Sequence, residues 1–149
     1  MRLKILFIAV FSSLIFSSAS AIPEPINKVS SIRPDGIFDI YTAYKHAHKL
    51  NKPIFYVVAS ANCSHCTAYL QNTIKPNFEQ INRDFVFALS DLTKGDKVPS
   101  NVPFNGTTPS TYIISPNGTL MITPIEGNFD SRYLQLLLKK LYEAYASGK

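Results

Sequence analysis

Cys63 and Cys66, separated by Ser64 and His65, are the only cysteines in a chain of 149 residues. Sulfur at this spacing has three uses: a structural disulfide, half of a metal site, or a pair that cycles between dithiol and disulfide. The first contributes least when the closed loop is short, because joining a few residues removes little entropy from the unfolded chain. A closed zinc site needs four ligands in suitable geometry. Cys63, His65 and Cys66 supply three, no second cysteine pair exists, and His46 and His48 fall on a separate helical segment. No metal or dissociable cofactor is therefore expected. The redox use needs a thiolate, and position supplies it. A cysteine at a helix start meets unpaired N–H groups and the positive end of the helix dipole, which lower its pKa from about 8.5 to roughly 3.5–7.5 in such motifs. Cys63, first in the expected helix, gains most and is the candidate attacking thiol. Cys66, one turn deeper, is the candidate resolving thiol. His65 can favour the Cys63 thiolate when protonated or by donating a hydrogen bond, and a dithiol that is stable when reduced makes an oxidising disulfide.

The elements that must position the pair are legible on either side of it. "PIFYVVAS", Pro53 to Ser60, is an unbroken apolar and β-branched run, the pattern of a strand covered on both faces. "CTAYLQNTI" follows with helix-compatible residues until Lys75-Pro76, where a break is expected, and "NFEQINR" carries a second short helical piece. "FVFALSDL", Phe85 to Leu92, repeats the buried-strand pattern, so strand, helix and strand make a βαβ unit with parallel strands. Upstream, "FDIYTAYKHAHKLN" with Ile37 before it sets Ile37, Ile40, Tyr41, Tyr44 and His48 on one helical face and ends at Asn51-Lys52-Pro53. Downstream, "STYIIS", the turn "PNG" and "TLMITPIE" read as a β-hairpin whose second arm, interrupted by Pro124, lies at a sheet edge. In the last helix Leu134, Leu137, Leu138, Leu141 and Tyr145 form one stripe, with Asp130 or Ser131 as the cap. The fifteen residues Thr93 to Thr107 are polar and rich in Gly, Pro and Asn, long for a structureless connection, and read as either a functional loop or a degraded helix.

The ends and the totals set the compartment and limit the partners. "MRLK", an apolar core "ILFIAVFSSLIF" and the small-residue ending Ala19-Ser20-Ala21 predict a secretory signal peptide over residues 1–21, with no stable membrane insertion after cleavage. The apolar core is shorter than the ~20 residues a spanning helix needs. Residues 22–36 read as an extended lead-in with an edge strand around Lys28 to Ile32, and residues 37–149 as one domain. Without the signal the chain carries 13 basic and 10 acidic residues, and no basic run exceeds Lys139-Lys140, so nucleic acid is not an expected partner. Asn105-Gly106-Thr107 and Asn117-Gly118-Thr119 match the glycosylation acceptor pattern but also read as turns.

Three features in order resemble the thioredoxin superfamily: a strand, "CSHC" and a helix; "TTPS" opening the hairpin; and Gly127 after it, ahead of a C-terminal helix. The resemblance runs from about Phe38 to Ala146. It implies an α/β thioredoxin-like fold, a central mixed sheet flanked by helices on both faces. It also implies that Pro109, after Thr108, is cis, faces the dithiol and helps hold an extended substrate chain, with Ser64 beside it. Two family features are replaced: Asn62 stands where a Trp precedes the first cysteine, and the strand "PIFYVVAS" lacks the buried Asp. The histidine in "CSHC" resembles the oxidising branches, the periplasmic disulfide oxidants and protein disulfide isomerase.

The resemblance implies a thiol-disulfide oxidoreductase, periplasmic or secreted and a monomer. It exchanges disulfides with cysteine-containing protein substrates and is reset by a redox partner protein. A second class of function is a thioredoxin-fold binding module, a chaperone or metal-handling adaptor whose cysteines are incidental. Switching of the pair by glutathione buffers discriminates the two.

Overall fold

The computed structural model describes residues 36–148. The expected signal peptide and the lead-in to residue 35, with its edge strand, lie outside the described residues.

Two six-residue strands, β2 (Ile54–Ala59) and β3 (Val86–Asp91), are buried along their whole length and run parallel in the register Ile54↔Val86 through Ala59↔Asp91. Burial on both faces suits the apolar run of β2 and of Val86 to Leu89, while the polar end of β3 is buried with hydrogen bonds, Ser90 to Tyr56 and Asp91 to the Thr93 amide. The short β1 (Ile37–Phe38) adds to β3 in parallel, while β4 (Ser110–Ile114) runs antiparallel to β2 and β5 (Ile125–Glu126) antiparallel to β4. The sheet order is β1-β3-β2-β4-β5.

Alternation along the strands divides the core in two. Phe55, Val57, Ala59, Phe87, Leu89 and Ile113 face one side, where Cys66, Tyr69, Leu134, Leu138 and Leu141 cover them. Ile54, Tyr56, Val58, Ala88, Tyr112 and Ile114 face the other, beneath Ile40, Ala43 and Ala47. The architecture is therefore a mixed sheet with helices on both faces, as expected. Each fully buried aliphatic or aromatic side chain contributes roughly 1.5–3 kcal/mol of transfer free energy, so these two layers carry most of the stabilisation.

Helix α1 (Ile40–Leu50) corrects the expected helical stripe. Asp39 caps it, Oδ1 accepting from the Tyr41 and Thr42 amides at 3.0 Å, and Ile37 belongs to β1 instead. The buried face is Ile40, Ala43 and Ala47, whereas Tyr41 is 56% exposed and His48 is also exposed. Two of the three buried residues are alanines, Tyr44 packs half-buried against the same cluster, and Tyr41 and His48 point outward. Asn51, in the left-handed conformation, ends the helix.

The segment after the cysteines changes pitch three times. Helix α2 (Ser64–Tyr69) passes into a π-helical turn at Leu70–Ile74, a 3₁₀ turn at Lys75–Asn77, and α3 (Phe78–Asp84). Pro76 has no N–H to give to an α-helical ladder. The chain meets that loss with a wider turn before it, where Lys75 N–H bonds to Leu70 O, and a tighter one across it.

The expected hairpin is present at its turn, where Gly118 N–H donates to Ser115 O at 2.9 Å, but its second arm is broken. That arm pairs through a single bridge at Leu120 and again only at β5, and Pro124 lies between. Helix α4 (Ser131–Ser147) is capped by Asp130 and buries Leu134, Leu138 and Leu141, the predicted stripe, with Leu137 and Tyr145 half-buried. Among the described residues no helix is long and apolar enough to cross a membrane.

Candidate active site

Three strand ends converge at one pole of the sheet: the C-termini of β2 and β3 and the N-terminus of β4, through the pairs Ala59↔Asp91 and Val58↔Ser110. Chain leaving β2 turns at Ser60–Asn62 and enters α2 with Cys63 as N-cap, its backbone extended at φ −105° and ψ 109°. Cys63 and Cys66 form a disulfide, with their Cα atoms 5.2 Å apart.

The two sulfurs are not equivalent. Cys66 is fully buried and packs into the core beneath α2, whereas Cys63 is half-buried at the surface. A partner arriving from solvent meets Cys63 first. The Cys66 amide donates to Cys63 Sγ at 3.1 Å, an N–H aimed at the sulfur that would carry negative charge on reduction. Across the site the Thr108 carbonyl oxygen lies 3.6 Å from the same Sγ, placed to accept from a reduced thiol. The two contacts pull in opposite directions: the amide favours thiolate and the carbonyl favours thiol.

The structure brings Thr108 and Pro109 to the dithiol, and the peptide bond between them is cis. Thr108 is half-buried and Pro109 buried, and Pro109 O accepts from Gly127 N–H at 2.7 Å, which ties the opening of β4 to the end of β5. Ser64 and His65 are both exposed on the first turn of α2. Among the described residues no group of three or more His, Cys, Asp or Glu side chains is placed to hold a metal ion.

Around these residues lies a second ring that sequence reading did not identify. Thr93, on the 3₁₀ turn Leu92–Lys94, accepts from Ala61 N–H at 2.8 Å through Oγ1 and shares a hydroxyl bond with Ser60 at 3.0 Å. Asp91 Oδ1 accepts from Thr93 N–H at 3.0 Å, while Asp91 Oδ2 is buried without a hydrogen-bond partner. On the other side Asn105 Oδ1 accepts from Thr107 N–H at 2.9 Å, and its Nδ2 donates to Glu126 Oε1 at 2.6 Å. Both turns carry a local sequence signal, an acid or amide two residues before the amide it caps. Their long-range partners carry none.

Burial raises the phenol of Tyr69, on α2, well above its ordinary range, and the bond to Thr111 partly opposes it. Burial likewise pushes Tyr56 up to about 12 despite a bond to Ser90. Both side chains stay neutral through the range in which thiols titrate.

The chain matches no protein-family model and no curated protein. Its structure is similar to a thioredoxin from Thermus thermophilus, with TM-score 0.54, 15% identity, and 70% of this chain and 85% of that one covered. It is similar to DsbH oxidoreductase with TM-score 0.54 and 13% identity over 80% of this chain and 92% of that one. The C-terminal domain of Neisseria meningitidis DsbD in the reduced form gives TM-score 0.50 and 19% identity over 73% and 93%. At such identities the likeness establishes the fold, and the fold of this chain is that of thioredoxin.

Proposed function

We propose that this chain is a thiol-disulfide oxidoreductase in which Cys63 exchanges with protein substrates and Cys66 resolves the mixed disulfide. One observation carries the reading: a disulfide at a strand-to-helix junction with one sulfur at the surface, under an N–H donor, and the other sealed in the core. A structural staple has no use for that asymmetry. Exchange requires it, because the outer sulfur must be reached and the inner one must wait.

The steps balance without a cofactor. In the reducing direction the Cys63 thiolate attacks a substrate disulfide, forming the Cys63–substrate bond and releasing one substrate thiolate. Cys66 then loses its proton and attacks Cys63 Sγ, forming the internal disulfide and releasing the second substrate thiolate. The substrate disulfide gains two electrons and the Cys63–Cys66 dithiol loses them; the oxidising direction is the reverse. Leaving-group acidity and attacking-thiol acidity set the rates, and the potential of the pair sets the direction. A partner protein returns the pair to its starting state.

In this reading Thr108, Pro109 and Ser64 line the path of the substrate chain, and His65, exposed beside Cys63, supplies a donor or positive charge that favours the thiolate. The signal-like first 21 residues support a periplasmic or secreted setting, where such a pair can persist as a disulfide. The test is a Cys66→Ser variant presented to oxidised periplasmic proteins. It should accumulate mixed disulfides through Cys63 that a reductant releases, and Cys63→Ser should accumulate none. Equal silence from both variants contradicts the proposal.

A further inference from the structure

We infer that Thr93 is a positioning residue for Cys63, its side chain splinting the turn that presents the attacking sulfur; the inference rests on the redox reading above. Residues Ser60 to Asn62 lie between β2 and the cap of α2 without regular structure of their own. Within that turn, Cys63 N–H reaches back to Ser60 O at 3.2 Å. The remaining support comes from outside: the Thr93 hydroxyl receives Ala61 N–H at 2.8 Å and meets the Ser60 hydroxyl at 3.0 Å. One oxygen thus holds both residues that set the approach to Cys63.

Thr93 is itself anchored. Its amide donates to Asp91 Oδ1, and Asp91 closes the buried strand β3, with its own amide bonded to Asp96 Oδ2 at 2.9 Å. Further along the same connection Pro99 and Val102 are buried, and Phe104 packs on the α1 side of the core. The polar stretch of residues 93–107 is therefore a fixed strap, and its first residue transmits the position of β3 to the turn before the sulfur.

The consequence is chemical as well as mechanical. Cys63 Sγ sits between a donor, Cys66 N–H at 3.1 Å, and an acceptor, Thr108 O at 3.6 Å. Hydrogen bonds weaken steeply with distance and angle. If the turn shifts, Sγ moves off the donor and the thiolate loses support, although Thr93 never touches the sulfur. The titratable residues on the elements around Cys63 are His65, Asp91, Lys94 and Glu126, and the substitutions at Thr93 replace none of them.

The test compares reduced wild type, Thr93→Val and Thr93→Ser by the pH profile of Cys63 alkylation, and by the dithiol–disulfide equilibrium with glutathione. Thr93 is exposed, so valine keeps the shape and removes only the hydroxyl. Loss of the splint should move the alkylation profile to higher pH and shift the equilibrium about three- to tenfold toward the disulfide. Thr93→Ser should restore both. Ser60→Ala removes one of the two partners, should move both readouts by less in the same direction, and decides the matter should Thr93→Val not fold. A Thr93→Val protein with the wild-type profile and equilibrium, whatever its melting temperature, overturns the inference alone. A wild type that does not exchange with glutathione overturns the redox reading and the inference with it.

Discussion

Tyr69 and Thr111 share a buried hydroxyl bond of 2.8 Å that joins the helix carrying the cysteines to the strand that follows Pro109. Tyr69 lies one turn beyond Cys66 and is fully buried, and its ring packs against Phe129 at 5.1 Å between centroids. The two halves of the site, Cys63 on one side and Thr108 on the other, are thus tied together beneath the surface. Tyr69→Phe should keep the ring packing and lose the bond, lowering stability by about 1–2 kcal/mol in denaturant unfolding. An unchanged midpoint would mean that the hydroxyl pair holds nothing.

Alkaline pH should weaken the fold through the same buried phenols. Tyrosine ordinarily titrates near 10. Burial raises Tyr69 and pushes Tyr56 up to about 12. Below the ordinary value both folded and unfolded chains keep these protons, and the stability they contribute is complete. Above it the unfolded chain releases protons that the folded chain retains, so stability falls as pH rises from about 10 through 12. Urea midpoints across that window should decline, with tyrosinate absorbance from Tyr69 arriving only as the chain unfolds. A midpoint flat across the window would contradict this.

Helix α4 should depend on its cap. Asp130 Oδ1 accepts from Arg132 N–H at 2.7 Å and from Tyr133 N–H at 3.3 Å. Asp130→Ala should cost about 1 kcal/mol, and Asp130→Asn much less, because the amide oxygen still accepts. Thermal unfolding of the two variants separates the cap from any effect of charge.

Sequence was most informative where one physical demand dominated. Strands buried on both faces favour continuous apolar runs, and β2 and the first four residues of β3 carry them, with Ser90 and Asp91 ending β3 at the site. The stripe of α4 followed helical spacing because only one side meets the core. Helix α1 was legible at Ile40 and misled elsewhere, because the rest of its buried face is Ala43 and Ala47, residues too small to announce one, while conspicuous Tyr41 points outward. The second hairpin arm was overdrawn since Pro124 removes a donor from the ladder and leaves β5 two residues long. At the site the cysteines, Thr108 and Pro109 were legible as a pattern. Thr93 was not: its bonds to Ser60 and Ala61 span more than 30 positions, and a hydroxyl that accepts across such a separation leaves no periodic trace.

The most direct test of the central claim is a redox titration of the intact protein in glutathione buffers, with the state of Cys63 and Cys66 read by thiol trapping and mass. The pair should move completely and reversibly between dithiol and disulfide as one two-electron couple, with Cys63 the sulfur found in any mixed disulfide with glutathione. A pair that stays oxidised across every buffer, or that reacts first at Cys66, would contradict the account.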